Sequence, residues 1–189
     1  MAGSDVAALP DGALDDIASR VGTSLRGAHD GTGLRIGIGC ALFNGGVTMR
    51  LLDGALEGLH DAGTDRRDIT VAWAPGAFEL PLVARAFAHA GKVDAVLCLG
   101  AVIRGDTGHY DFVAGECASG IQQVQLATGV PVIFGILTCD TLEQAIDRAG
   151  LKGGNKGFDA GLGAVEMAEL MRKLRAPSKK PAVEKRRGT

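Results

Sequence analysis

The sequence predicts a three-layer α/β/α fold, with helices covering both faces of a four-stranded parallel sheet. Three observations carry that prediction. Strand-length apolar runs occur four times, at Leu34–Ala41, Asp68–Trp73, Val93–Gly100 and Pro131–Thr138. Segments with helical spacing separate them, and strands that alternate with helices form parallel sheets joined by crossovers. The chain of 189 residues is 46% hydrophobic and 22% charged, enough for one sizeable core.

The first run, "LRIGIGCA", is a strand predicted to be buried on both faces. Val47, Leu51, Leu52, Ala55 and Leu59 follow at helical spacing, and Ala62-Gly63 ends that helix. After the second strand, a helix is predicted from about Glu79 to Ala90, with Pro81 tolerated in its first turn. After the third, a helix runs from about Tyr110 to Thr128. Thr141 caps a short helix reaching Gly150, and Phe158, Leu162, Val165 and Leu170 mark a last helix out to Leu174.

The two ends read differently. Residues 1–33 form a flexible N-terminal extension, rich in Gly, Asp and Ala, with one weak candidate helix at Leu14–Leu25. Residues 175–189 form a basic disordered tail, with six Lys or Arg against one Glu. Net charge is −2 for the whole chain, which leaves −7 for residues 1–174. The domain itself is predicted to span 34–174.

No apolar run has the length of a membrane span, and the first residues lack the order of a secretory signal. Aromatic residues are only 4%, which argues against a platform for single-stranded nucleic acid. Cys40, Cys98, Cys117 and Cys139 sit among apolar neighbours with no CxxC pair, and read as buried free thiols in a reducing compartment. The expected location is the cytoplasm.

In parallel sheets, ligands bind beyond the carboxyl ends of the strands, near the point where strand order reverses. The sequences there are "ALFNGG", "APGAFELP", "AVIRGDTGH" and "GILTCD". His109 is the candidate for proton transfer, because imidazole titrates near neutral pH and this one follows a Gly-Asp-Thr-Gly loop. His60 and His89 stand near helix stops and read as C-terminal charges. Gly105, Asp106 and Thr107 offer N–H groups and a hydroxyl at a helix entry, which suits an anion or an ordinary capped turn equally. Arg104 reads as a structural ion-pair partner rather than a catalytic group.

Phe78 and Glu79 open a helix, where a ring to cover an apolar face stands beside a carboxylate favoured by the helix dipole. Phe43 and Phe134 also stand at or near strand ends, where a phenylalanine is usually core. Arg148 suits either a phosphate or the last turn of its own helix. "GLKGGNKG" lacks the second Gly and the Ser/Thr of a nucleotide-binding loop, "GIGCALFNGG" lacks the third Gly of a dinucleotide fingerprint, and no metal-ligand spacing occurs.

Taken in order, "ALFN", "PGAFELP", "CLGAVIRGDTGHYDFV", "PVIFGILT" and "DRAG…GGNKG" resemble the lumazine synthase family, from about Leu34 to Leu174. The resemblance implies a flavodoxin-like fold and the penultimate step of riboflavin biosynthesis. There, 5-amino-6-ribitylaminouracil and 3,4-dihydroxy-2-butanone 4-phosphate give 6,7-dimethyl-8-ribityllumazine, phosphate and water, with no cofactor or metal. It implies that Phe43 stacks on the pyrimidine, that Ala77, Phe78 and Glu79 hold the ribityl chain, and that Ala101, Val102 and Ile103 grip the pyrimidine edge. Asp106, Thr107 and Arg148 then hold the phosphate, and His109 is the general acid/base. Phe134, Arg148 and Lys156 match residues that reach the site from a neighbouring subunit.

The resemblance also implies a homopentamer. The short "AGLKGGN" linker favours twelve pentamers in an icosahedral shell. Two other readings stand beside it. One is a module that binds a flavin or lumazine without turnover. The other is a shell whose basic tail recruits cargo such as riboflavin synthase or nucleic acid.

Overall fold

Apolar runs too short for a helix pair as strands, and the amphipathic segments between them fold back to cover the sheet. The computed structural model describes residues 9–176. In it the chain runs α1 (Ala13–Arg20), β1 (Ile36–Ala41), α2 (Gly45–Asp61), β2 (Ile69–Ala74), α3 (Leu80–His89) and β3 (Ala95–Ile103). It continues through α4 (His109–Thr128), β4 (Val132–Cys139), α5 (Leu142–Arg148) and α6 (Lys156–Arg175). All strand pairs are parallel and their order is β2-β1-β3-β4. This is the predicted flavodoxin-like, three-layer α/β/α architecture.

One layer is α2 with α6. Their Leu52, Ala55, Leu59, Ala160, Ala164 and Val165 pack on Ile36, Ile38 and Cys40 of β1 and on Leu97 and Leu99 of β3. The other layer is α3 with α4, where Leu80, Ala84, Cys117 and Ile121 meet Val96, Cys98 and Ile136. A smaller cluster under α5 joins Leu51, Ala101, Leu137 and Ala145. All four cysteines are buried free thiols.

Small residues decide how closely α2 and α6 approach. A Cβ on Gly157 would lie 1.9 Å from the Leu51 carbonyl oxygen, and one on Gly161 would lie 2.7 Å from that of Ala55. On the facing helix, a Cβ on Gly58 would lie 2.7 Å from the Phe158 carbonyl oxygen. Asn155 caps α6, accepting from the Gly157 N–H at 2.8 Å while its Nδ2 donates to the Arg50 carbonyl at 2.8 Å. The "GGNKG" stretch is thus a helix cap fitted to a neighbouring helix.

Boundaries move by small amounts. β3 continues to Ile103, because its register with β4 extends through Ile103↔Cys139. The helix predicted from Glu79 starts at Leu80, after a 3₁₀ turn at Ala77–Glu79. α1 stops at Arg20, before the poor helix formers Val21, Gly22 and Thr23, and buries none of its residues. Further along, Lys173 Nζ donates to the Arg26 carbonyl at 3.0 Å, and the Gly31 N–H donates to that of Ala62 at 2.6 Å. From residue 177 the basic tail lies outside the described residues. Among the described residues, no helix is long and apolar enough to cross a membrane.

Candidate active site

The strand order reverses at β1, which has β2 on one side and β3 on the other. The helix after β1 packs on one face of the sheet and the helix after β3 on the opposite face. Their loops therefore part, and the gap between them is a ready crevice. A hollow of about 710 Å³ opens there.

Each wall has its own reason for being in place. Leu42 and Phe43 donate their N–H groups to the Ala74 and Pro75 carbonyls, at 2.8 and 3.1 Å, which prolongs the sheet into the rim. Phe43 is 71% exposed and Phe78 54%, so two rings stand at the mouth of the hollow rather than in the core. The expectation that a phenylalanine by a strand end is core fails for Phe43, because the chain has already left the sheet there, and Phe134, on β4, is 40% exposed as well.

Ala77 is buried, and its carbonyl accepts from the Cys117 thiol at 2.9 Å, which pins the 3₁₀ turn to α4. Glu79 ends that turn, exposed at the wall, and Gly76 leaves room for its carboxylate. The floor is Ala101, Val102 and Ile103, the last residues of β3. Gly105, Thr107 and His109 complete the rim, with His109 the first residue of α4. A helix N-terminus carries unpaired N–H groups and partial positive charge, so that rim favours an anion beside an imidazole.

The family model for 6,7-dimethyl-8-ribityllumazine synthase matches residues 33–172, about three quarters of the chain. The chain belongs to the lumazine synthase family. Lumazine synthases are transferases of riboflavin biosynthesis, and the four-stranded parallel sheet agrees with that membership.

Not every residue that the lumazine synthase motifs point to lines the hollow. Asp106 lies in the exposed loop between Gly105 and Thr107 but outside the lining. Arg148 sits in the last turn of α5, donating Nη1 to the Gln144 carbonyl at 3.3 Å. Lys156 opens α6 and pairs with Asp159 at 2.7 Å. Phe134 lies on the edge strand β4, opposite Cys98, and is 40% exposed. These three are not among the residues that line the hollow with His109.

Other lining residues escape the motif reading. Asn44 adopts a left-handed backbone, φ 59°, and its Nδ2 donates to the Ala101 carbonyl at 2.8 Å, tying the β1 loop to the end of β3. Asn tolerates that conformation better than most residues, and "FNGG" after a strand was the available signal. Tyr110, Phe112 and Val113 supply the α4 side of the wall. Among the described residues, no cluster of three His, Cys, Asp or Glu side chains could hold a metal ion.

Proposed function

We propose that this chain condenses 5-amino-6-ribitylaminouracil with 3,4-dihydroxy-2-butanone 4-phosphate to give 6,7-dimethyl-8-ribityllumazine, phosphate and water. One observation carries the reading. Nine of the thirteen residues picked out by the sequence motifs line a single hollow: Phe43, Ala77, Phe78, Glu79, Ala101, Val102, Ile103, Thr107 and His109. Chance would not gather residues from three separate loops into one wall.

The chemistry fits such a wall. An amine of the uracil attacks the butanone carbonyl, and water leaves as an imine forms. Phosphate is then eliminated, and the second amine closes the ring with loss of another water. Each step moves a proton, and His109 supplies a group suited to give and take it near neutral pH. Phe43 stacks on the pyrimidine, the 77–79 turn holds the ribityl hydroxyls, and the backbone of 101–103 reads the pyrimidine edge. The loop at Asp106 and Thr107 takes the phosphate at the positive end of α4. Alignment of two polyfunctional substrates supplies much of the remaining acceleration.

Arg148, Lys156 and Phe134 complete the site from a neighbouring subunit in a homopentamer. Leu82, Phe112 and Leu126 are each at least 70% exposed, and covering such side chains with a partner subunit removes apolar area from water. The short linker before Lys156 favours twelve such pentamers as a shell, in the cytoplasm, with riboflavin synthase as a candidate cargo. The domain spans 34–174, flanked by the extension and the basic tail.

The test is to mix the purified protein with both substrates and follow lumazine absorbance against a no-enzyme baseline. Acceleration is expected from the wild type, with Arg148→Ala raising the KM for butanone phosphate and His109→Ala lowering kcat. A folded wild type no faster than the baseline sinks the synthase reading. Tight flavin binding without turnover would turn it into a binding module.

A further inference from the structure

Between β3 and α4 the chain crosses from Arg104 to Gly108, and Gly105 and Gly108 have nothing within 4 Å of where a Cβ would sit. Such a loop has little packing of its own, and its glycines widen the range of conformations open to it. One residue, Arg104, ties it at both ends. The Arg104 N–H donates to the Cys139 carbonyl at 2.9 Å, anchoring the loop's first residue to the end of β4. The guanidinium donates through Nε to Asp140 Oδ1 at 3.0 Å and through Nη2 to Asp111 Oδ1 at 3.2 Å. It also lies 4.0 Å over the centre of the Tyr110 ring. Tyr110 and Asp111 belong to the first turn of α4, and Asp140 follows β4. The segment closed by these contacts is Gly105 to His109.

We propose that Arg104 is a positioning residue, stapling the end of β4 to the first turn of α4 so that the Gly105–His109 segment holds the conformation in which it receives phosphate and presents imidazole. The proposal rests on the synthase reading of the hollow. Two features separate this role from others. Arg104 is 43% exposed and its carboxylate partners are 67% and 68% exposed, so these pairs contribute little to global stability. Nε and Nη2 of the guanidinium already face carboxylates, so the edge they form is not free to grip an anion.

The experiment compares the wild type with Arg104→Gln, Arg104→Lys and Asp111→Asn, varying each substrate in turn. In Arg104→Gln, kcat/KM for butanone phosphate is expected to fall about tenfold, while the aminouracil KM stays within about twofold. Its Tm is expected to stay within about 2 °C of the wild type. Arg104→Lys keeps the charge but not the two-armed geometry, and is expected to recover part of the loss. Asp111→Asn is expected to weaken the same parameter. Unchanged kinetics in Arg104→Gln overturn the proposal, as do losses that track Tm. A lower butanone-phosphate KM in Asp111→Asn also overturns it, since that marks Arg104 as a direct phosphate ligand restrained by Asp111. Amide exchange over 105–109 is read in parallel and does not depend on turnover. Faster exchange in Arg104→Gln supports the staple, and unchanged exchange overturns it. An inactive wild type sinks the synthase reading instead.

Discussion

Phe43 stands in solvent at the mouth of the hollow, so its removal affects ligand contact far more than folding. Phe43→Ala is expected to raise the aminouracil KM about tenfold, the scale of one lost stacking contact, with the melting temperature nearly unchanged. Steady-state kinetics beside a thermal melt check both halves. Buried thiols lead to a prediction of the opposite kind. Burial pushes the Cys40 thiol up to about 11, and burial together with the Glu79 charge pushes Cys117 up to about 12, from near 9. Above the ordinary value the unfolded chain has lost these protons while the folded state keeps them. Stability is therefore level up to about pH 9 and then falls as pH rises, by roughly 1 kcal/mol per thiol per pH unit. Urea midpoints under reductant at about pH 8 and about pH 10.5 measure it, and equal midpoints contradict it. The burial of these cysteines was legible from their apolar neighbours. Asn44 was harder to see, because its work is a backbone conformation and a contact 57 residues away, and neither leaves a periodic mark.

At the scale of elements, the four strands and five of the helices were legible because apolar spacing reports burial directly. Their ends were less so: β3 overruns its predicted end through pairing with β4, which no local pattern encodes. The seam between α2 and α6 shows what periodicity hides, since glycine reads as a weak helix former unless the facing helix is known. Gly157→Ala is expected to destabilise the fold by about 2 kcal/mol or more, because the new methyl meets backbone at the Leu51 carbonyl. Gly163→Ala, in the same helix with nothing within 4 Å, is expected to stabilise by about 0.5 kcal/mol. Denaturant titrations of the pair check the contrast, and similar midpoints would mean the helices can part at little cost. Asn155→Ala loses the cap of α6 and its bond to Arg50, and is expected to cost about 1–2 kcal/mol by the same assay.

Across the whole molecule, the candidate site splits into residues that one chain brings together and residues that it does not. His109 lines the hollow while Arg148, Lys156 and Phe134 lie outside its lining, and the family motifs already imply that these three act from a neighbouring subunit. Mixed assemblies decide it. At butanone phosphate well below the raised KM, co-expressed His109→Ala and Arg148→Ala chains are expected to exceed either variant alone in activity, with about a quarter of the sites intact under random mixing. No recovery would place both groups in one chain's site. The seam of α2 and α6 also leaves the molecule unevenly open to drift. Substitutions accumulating over generations are barred along that seam, where any added side chain displaces a helix, while Gly105 and Gly108 border vacant space. The frame is therefore held by steric contact inside the chain, while the rim is held by what it must bind.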